Sequence, residues 1–256
     1  MRSALAILFF AFRIFSFSSC SSYHPSGVKD HTSTISGGPQ QASADSLIYP
    51  YRNQLSASMQ EVIGVSIHEM KTERPQGRLG NFVADLVYAS FSKLVVGRHD
   101  STEFIKPHLA LLNTRGLRAA IPQGDITVER IFSVMPFENE VVLVKLKLAD
   151  VIKMAEYLVQ VGGHPISFNG SLVAVDGKLQ SMFINDKSIH ALAEVWIITS
   201  DYLAEGGDGM NFFSAAEEMI YTGQKLRDVI IQYIRSETSQ GKKIQAETDD
   251  RILFFR

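Results

Sequence analysis

The run Glu194-Val195-Trp196-Ile197-Ile198-Thr199 leads through Ser200 into Asp201-Tyr202-Leu203-Ala204-Glu205-Gly206-Gly207-Asp208-Gly209. Its first part is apolar and rich in β-branched residues, the pattern of a buried strand. Its second part carries paired glycines, which permit positive φ and let backbone come close to a ligand. A carboxylate held there, Asp208, can accept two hydroxyl protons from a sugar diol. A tight turn with an exposed Asp is the plainer reading of the same residues.

The flanking segments set the fold class. Residues 61–67 are β-branched and weakly alternating, a strand. Between Leu79 and Val95, Phe82, Val83, Leu86, Val87, Phe91 and Leu94 form a stripe at nearly helical spacing. Residues 109–112 read as a short buried strand, and Thr127, with Glu129 two positions on, caps a short helix through Met135. Residues 140–148 alternate as a strand, and residues 149–161 form a helix ended by Gly162-Gly163. Asp176-Gly177 joins two short strands, 172–175 and 179–184, as a hairpin. A further amphipathic helix covers 226–234, and 252–255 is a final edge strand. Helices and hairpins mix without regular β-α alternation, which gives an α+β fold, one domain over 60–256.

Two more loops have residue types suited to binding. Asn113-Thr114-Arg115-Gly116-Leu117-Arg118 follows a buried strand; Arg offers a planar fork to carboxylate or phosphate, and Asn offers both donor and acceptor. In Met135-Pro136-Phe137-Glu138-Asn139, proline fixes a loop that presents Phe137, either to stack on a flat ring or to plug the core.

Composition narrows the field. The 256 residues carry 25 Lys+Arg against 27 Asp+Glu, and this near balance argues against a dedicated nucleic-acid binder. A single cysteine excludes an intramolecular disulfide and any Cys-based zinc cluster. That Cys20 ends a basic start, a short apolar run and Phe17-Ser18-Ser19, so residues 1–19 resemble a bacterial lipoprotein signal with Cys20 as the lipidated residue. Phe17 and the internal Arg13 depart from that pattern, and a signal cut elsewhere is the alternative. Residues 20–46, rich in Ser, Gly, Pro and Gln, read as a flexible tether. The expected location is the cell envelope, lipid-anchored to a bacterial membrane and facing the periplasm, since no acidic run follows Cys20.

Taken in order, Leu79-Gly80-Asn81-Phe82-Val83-Ala84-Asp85, Asn113 to Arg118, Gly124-Asp125-Ile126-Thr127, Pro136-Phe137-x-Asn139 and Tyr202 to Gly209 resemble the C-terminal, substrate-recognition domain of the 5′-nucleotidase / UDP-sugar hydrolase family. The resemblance implies that Phe137 and Tyr202 sandwich a nucleobase, Asp208 with Gly207 in its loop binds the ribose hydroxyls, Asn113 touches the base edge and Arg118 faces the phosphate. Four positions depart from the family pattern. Glu73 stands where the family has Arg, Thr114-Arg115 replaces a Gly-Gly, and Tyr202 replaces Phe. Arg115 and Arg74 are the candidates to supply the missing phosphate-side cation.

The family's other half, a metallophosphoesterase domain, holds two metals with Asp-x-His, Asn-His-Glu/Asp and Gly-His-x-His segments. None of the seven histidines here stands in such a pattern. His68-Glu69 lacks the second histidine of a zinc-protease helix, Thr72 taking its place, and there is neither a Gly-x-Ser-x-Gly elbow nor a phosphate loop. No cofactor is therefore expected in this chain, and divalent metals only in a partner. Three functions remain open: the nucleotide-binding half of a split phosphohydrolase, working with a separately encoded metallophosphoesterase chain and inactive alone; a stand-alone nucleotide- or nucleoside-binding lipoprotein; or a scaffold whose pocket has decayed.

Overall fold

Residues 141–146 read Val-Val-Leu-Val-Lys-Leu, and successive side chains of a strand point to opposite faces. In the computed structural model, which describes residues 42–97 and 107–256, Val141 and Leu143 enter one hydrophobic core while Val142, Val144 and Leu146 enter another. Both faces of the sheet are covered, which is why its inner strands are apolar almost without interruption.

In chain order the elements are α1 (Ala42–Met59), β1 (Val62–Ser66), α2 (Arg78–Gly97), β2 (His108–Ala110), β3 (Gly124–Thr127), α3 (Val128–Val134), β4 (Glu140–Lys147) and α4 (Leu148–Gln160). They continue with β5 (Gly170–Val175), β6 (Lys178–Ile184), β7 (Lys187–Ser188), β8 (Glu194–Ser200), α5 (Asp201–Ala204), β9 (Glu218–Lys225), α6 (Leu226–Ser239) and β10 (Ile252–Phe255). The central sheet has the order β2-β8-β4-β9, a second sheet the order β10-β5-β6-β7, and β1 pairs with β3. Parallel pairs (β2 with β8, β10 with β5) occur beside antiparallel ones, so the α+β class stands. The chain divides after Tyr49, and Pro50–Arg256 is one compact unit.

Helices α2 and α6 supply Phe82, Val83, Leu86, Ile230 and Ile234 to the core on one face of the central sheet. On the other face, α4 contributes Val151, Met154, Leu158 and Val159 to a core shared with Leu172 of β5 and Met182 of β6. Burying each such side chain contributes about 1.5–3 kcal/mol. Thr127 caps α3 as expected, its hydroxyl accepting from Arg130 N–H at 3.2 Å. The Asp176-Gly177 hairpin, the Gly162-Gly163 helix end and the edge position of β10 also agree with the sequence reading.

Five elements lie outside that reading: the short β3, β7 and α5, and the longer β9 and α1. β9 is an edge strand of Glu, Met, Tyr, Thr and Gly223 whose side chains stay partly exposed, so no apolar alternation marks it. α1 begins at Ala42, inside the expected tether, because between Pro39 and Pro50 no Pro or Gly interrupts helix-compatible residues. The rest of the tether, Cys20 and the leader lie outside the described residues.

One buried cation ties the layers together. Arg251, its side chain only 5% exposed, grips Asp85 of α2 with two nitrogens at 2.8 and 3.1 Å, and donates to Asp249 and to the Ile166 carbonyl. Burial pushes the Asp85 carboxyl up, against the pull of Arg251. Removing one partner of such a pair strands the other. Because Asp85 keeps 32% exposure, Arg251→Met should lower the unfolding free energy by about 2–3 kcal/mol, read as a lower urea midpoint at unchanged slope.

Candidate functional site

Strand register decides which loops meet. β2 and β8 run parallel, with Ala110 beside Ile198, so their C-terminal ends leave the sheet together and carry Asn113 and Tyr202. β4 runs antiparallel to β8, with Val141 beside Ser200, so the residues preceding it, Phe137 and Asn139, emerge at the same end. Three segments distant in sequence thus line one cleft of about 280 Å³. Its walls are Phe137 and Tyr202, the polar Asn113, Asn139 and Asp208, the cations Arg115 and Arg118, and Gly116.

Asp208 is the best-held polar group there. Its backbone lies in the left-handed region, φ 53° and ψ 18°, which is uncommon outside glycine and costs on the order of 1 kcal/mol. Asn113 Nδ2 donates to Oδ2 at 2.6 Å, and Tyr202 Oη donates to Oδ1 at 3.1 Å. Tyr157 Oη donates to the Asp208 carbonyl at 2.7 Å. A carboxylate has about four lone-pair sites, so two protein donors leave capacity for two more, one on each oxygen.

The neighbouring residues are shaped around these contacts. A Cβ at Gly116 would overlap the Asn113 side-chain oxygen, and one at Gly207 would overlap the Tyr202 ring. Gly207 therefore supports the ring rather than lining the cleft. The Phe137 loop is anchored on the start of α6: Leu226 N–H donates to Asn139 O at 2.8 Å, Lys225 Nζ to Glu138 O at 2.8 Å, and Arg227 pairs with Glu138. Phe137 and Tyr202 are 42% and 46% exposed on this rigid frame. Two aromatic faces held open to water leave apolar area that a flat ligand would cover.

A second cleft of about 400 Å³ shares Asp208 and Arg115 with the first and adds Arg74, Tyr157, Val161 and His164. Arg74, Arg115 and Arg118 have no ion pair or side-chain hydrogen bond among the described residues, so their charge is available to an anion. Glu73 faces a separate cleft with His68, Lys71 and Arg78, and Arg78 pairs with Glu247. The larger cleft near the C-terminus, about 760 Å³, includes Arg251 and Lys242, already paired to Asp85 and Glu237. Size alone does not mark the site; unpaired polar groups do.

The structure thus brings together Asn113, Arg115, Arg118, Phe137, Tyr202 and Asp208, and puts Arg74 one cleft away. Asn113, expected at a base edge, spends its amide N–H on Asp208. Asn139 has no side-chain hydrogen bond among the described residues and lines the cleft two positions after Phe137, so it is the amide free to meet a ligand edge. Its place in the Pro136-Phe137-x-Asn139 motif was the signal that could have found it. Tyr157 and His164 carried no such signal, since they read as part of a helix and the turn after it.

His164 is buried at 2% exposure. Thr114 N–H donates to its Nδ1 at 3.2 Å, so Nδ1 is unprotonated and the proton sits on Nε2, 3.5 Å from Tyr157 Oη. Burial, then Arg74, with a smaller push from Arg115, hold its pKa down at about 4. The neutral form contributes stability that is fully present above pH 6.5 and is lost as pH falls through about 4. That contribution is at most about 3 kcal/mol. Unfolding measured between pH 7 and pH 4 should show a steeper loss in the wild type than in His164→Gln, the difference being the histidine's share.

The family model described as "5'-nucleotidase, C-terminal domain" matches residues 58–215. Protein UshA of Escherichia coli (strain K12) is 26% identical over 198 residues, which cover 75% of this chain and 34% of UshA. The trifunctional nucleotide phosphoesterase protein YfkN of Bacillus subtilis (strain 168) is 24% identical over 229 residues, 79% of this chain and 14% of that protein. The crystal structure of a 5′-nucleotidase precursor from Thermus thermophilus superposes with a TM-score of 0.67 at 21% identity, over 83% of this chain and 43% of that one. The chain spans about a third of UshA and less of YfkN.

Proposed function

This chain belongs to the family of 5′-nucleotidase C-terminal domains, and on that premise we propose that it is the substrate-binding half of a phosphohydrolase that acts on nucleotides. The observation that carries the reading is the open pair of rings, Phe137 and Tyr202, at one cleft with the doubly held carboxylate of Asp208.

In this reading the nucleobase enters between the two rings, where stacking is worth about 1–3 kcal/mol and tolerates any base. Asn139 meets the base edge. Asp208 accepts the two ribose hydroxyls with the lone pairs that Asn113 and Tyr202 leave open. Arg118 faces the phosphate, and Arg115 and Arg74 extend the cationic wall on the far side of Asp208. A guanidinium without a protein partner can form a charge-assisted, two-toothed contact with a phosphoryl group.

Hydrolysis is assigned to a separate metallophosphoesterase chain. Among the described residues no group of three or more His, Cys, Asp or Glu side chains is placed to hold a metal ion. The metals would lower the pKa of a bound water and take the charge developing on phosphate; the residues here would bind and orient the nucleoside. Lipidation at Cys20 would keep this half at the bacterial envelope, and labelling with a radioactive fatty acid, abolished by Cys20→Ala, tests the anchor.

Calorimetry should show adenosine and AMP binding in the micromolar range, with Phe137→Ala and Tyr202→Ala each weakening affinity about tenfold, about 1.4 kcal/mol. Mixing the chain with a metallophosphoesterase encoded beside it should release phosphate from AMP faster than that enzyme does alone. Binding without acceleration would leave a stand-alone binding protein; no binding at all would leave a scaffold.

A further inference from the structure

We infer that Tyr157 and His164, which lie behind Asp208 and outside the cleft between the rings, are positioning residues that set how strongly the site prefers a ribose with both hydroxyls over one with none. The inference rests on the nucleoside reading above.

The hydrogen bonds around Asp208 form a closed circuit. Asn113 Nδ2 holds the carboxylate, and Thr114, its chain neighbour, donates its backbone N–H to His164 Nδ1. His164 then points Nε2–H at Tyr157 Oη, and the Tyr157 hydroxyl donates to the Asp208 carbonyl. The circuit starts and ends on one turn, Asn113 with the Thr114–Gly116 segment it opens, which leaves the sheet after β2. Asp208 is therefore gripped at both ends, its carboxylate by one residue of that turn and its carbonyl by the next through two side chains.

The protonation states suit these roles. Burial first, and the Asp208 charge second, raise the Tyr157 phenol above its usual range, so it stays a donor. The charged and titratable groups facing His164 are Arg74, Arg115, Asp208 and Tyr157; the imidazole is neutral among them at ordinary pH. Neutral imidazole is the form that can accept from Thr114 and donate to Tyr157 at once.

The circuit does not set the left-handed backbone of Asp208, which Asp176, Asn185 and Asp186 also adopt; it sets where the residue's carbonyl and carboxylate point. Without the Tyr157 bond the carbonyl loses its partner, and the carboxylate can rotate away from the two positions a diol needs. Contact with two adjacent hydroxyls depends on both carboxylate oxygens being aimed; stacking of the base on Phe137 and Tyr202 does not.

The test is calorimetry of adenosine and 2′,3′-dideoxyadenosine on the whole chain, as wild type, Tyr157→Phe and His164→Gln, each checked for folding by its melting curve. The wild type should prefer adenosine. Tyr157→Phe removes one oxygen and should cut that preference about tenfold while dideoxyadenosine affinity stays within about twofold; His164→Gln should cut it by a smaller factor in the same direction. A merely structural role would weaken both ligands alike. The inference is overturned if folded Tyr157→Phe keeps the full preference or loses affinity equally for both nucleosides; should that variant fail to fold, His164→Gln is judged by the same criterion. A wild type that binds both nucleosides equally overturns the diol assignment and this inference while leaving ring stacking intact. A wild type that binds neither overturns the nucleoside reading itself.

Discussion

Asp208 sits in a left-handed turn that Asp and Asn adopt more readily than other side chains, and the site is organised around holding its carboxylate in place there. Three donors from three separate places act on this one residue: an amide from the turn after β2, a phenol from the helix turn after β8, and a second phenol from α4. Glycines at 116 and 207 let the first two donors approach. A carboxylate so constrained keeps its remaining lone pairs pointed at the cleft, where a flexible surface Asp would spread them over many rotamers.

The scaffold that permits this is the central sheet. A parallel neighbour on one side of β8 and an antiparallel neighbour on the other bring two chain exits and one chain entry to the same edge. With both faces of the sheet sealed by apolar cores, that end is where polar and half-exposed aromatic side chains can gather without disturbing packing. The family's longer members place the same domain within a larger polypeptide; in UshA the matched portion is 34% of the whole. On the proposed reading, the cleft residues bind and orient the nucleoside.

Much of this architecture was legible in the chain. Stripes at helical spacing located α2 and α4, the cap at Thr127 located α3, and Asp176-Gly177 located a hairpin, because each depends on neighbours within a few residues. β9 was not, since an edge strand need not alternate cleanly. For the site, ordered motifs pointed to Phe137, Tyr202 and Asp208, and they do share a cleft. Roles that depend on three-dimensional partners were hidden. No spacing rule says that Asn113 turns its amide to a residue 95 positions away, leaving Asn139 as the free one. Nor does the Glu73 substitution reveal that the adjacent Arg74 faces the second cleft while Glu73 faces another. The helix pattern of residues 148–160 is satisfied by its buried stripe, and says nothing of the Tyr157 hydroxyl that leaves the stripe to meet Asp208.

A nucleoside in the cleft between positions 137 and 202 is the claim on which the binding chemistry turns. A crystal structure of the chain grown with saturating adenosine tests it most directly. The base should lie between the two rings, with both ribose hydroxyls about 2.5–3.0 Å from the Asp208 carboxylate oxygens. Adenosine bound in another cleft, or this cleft empty at saturation, would contradict it.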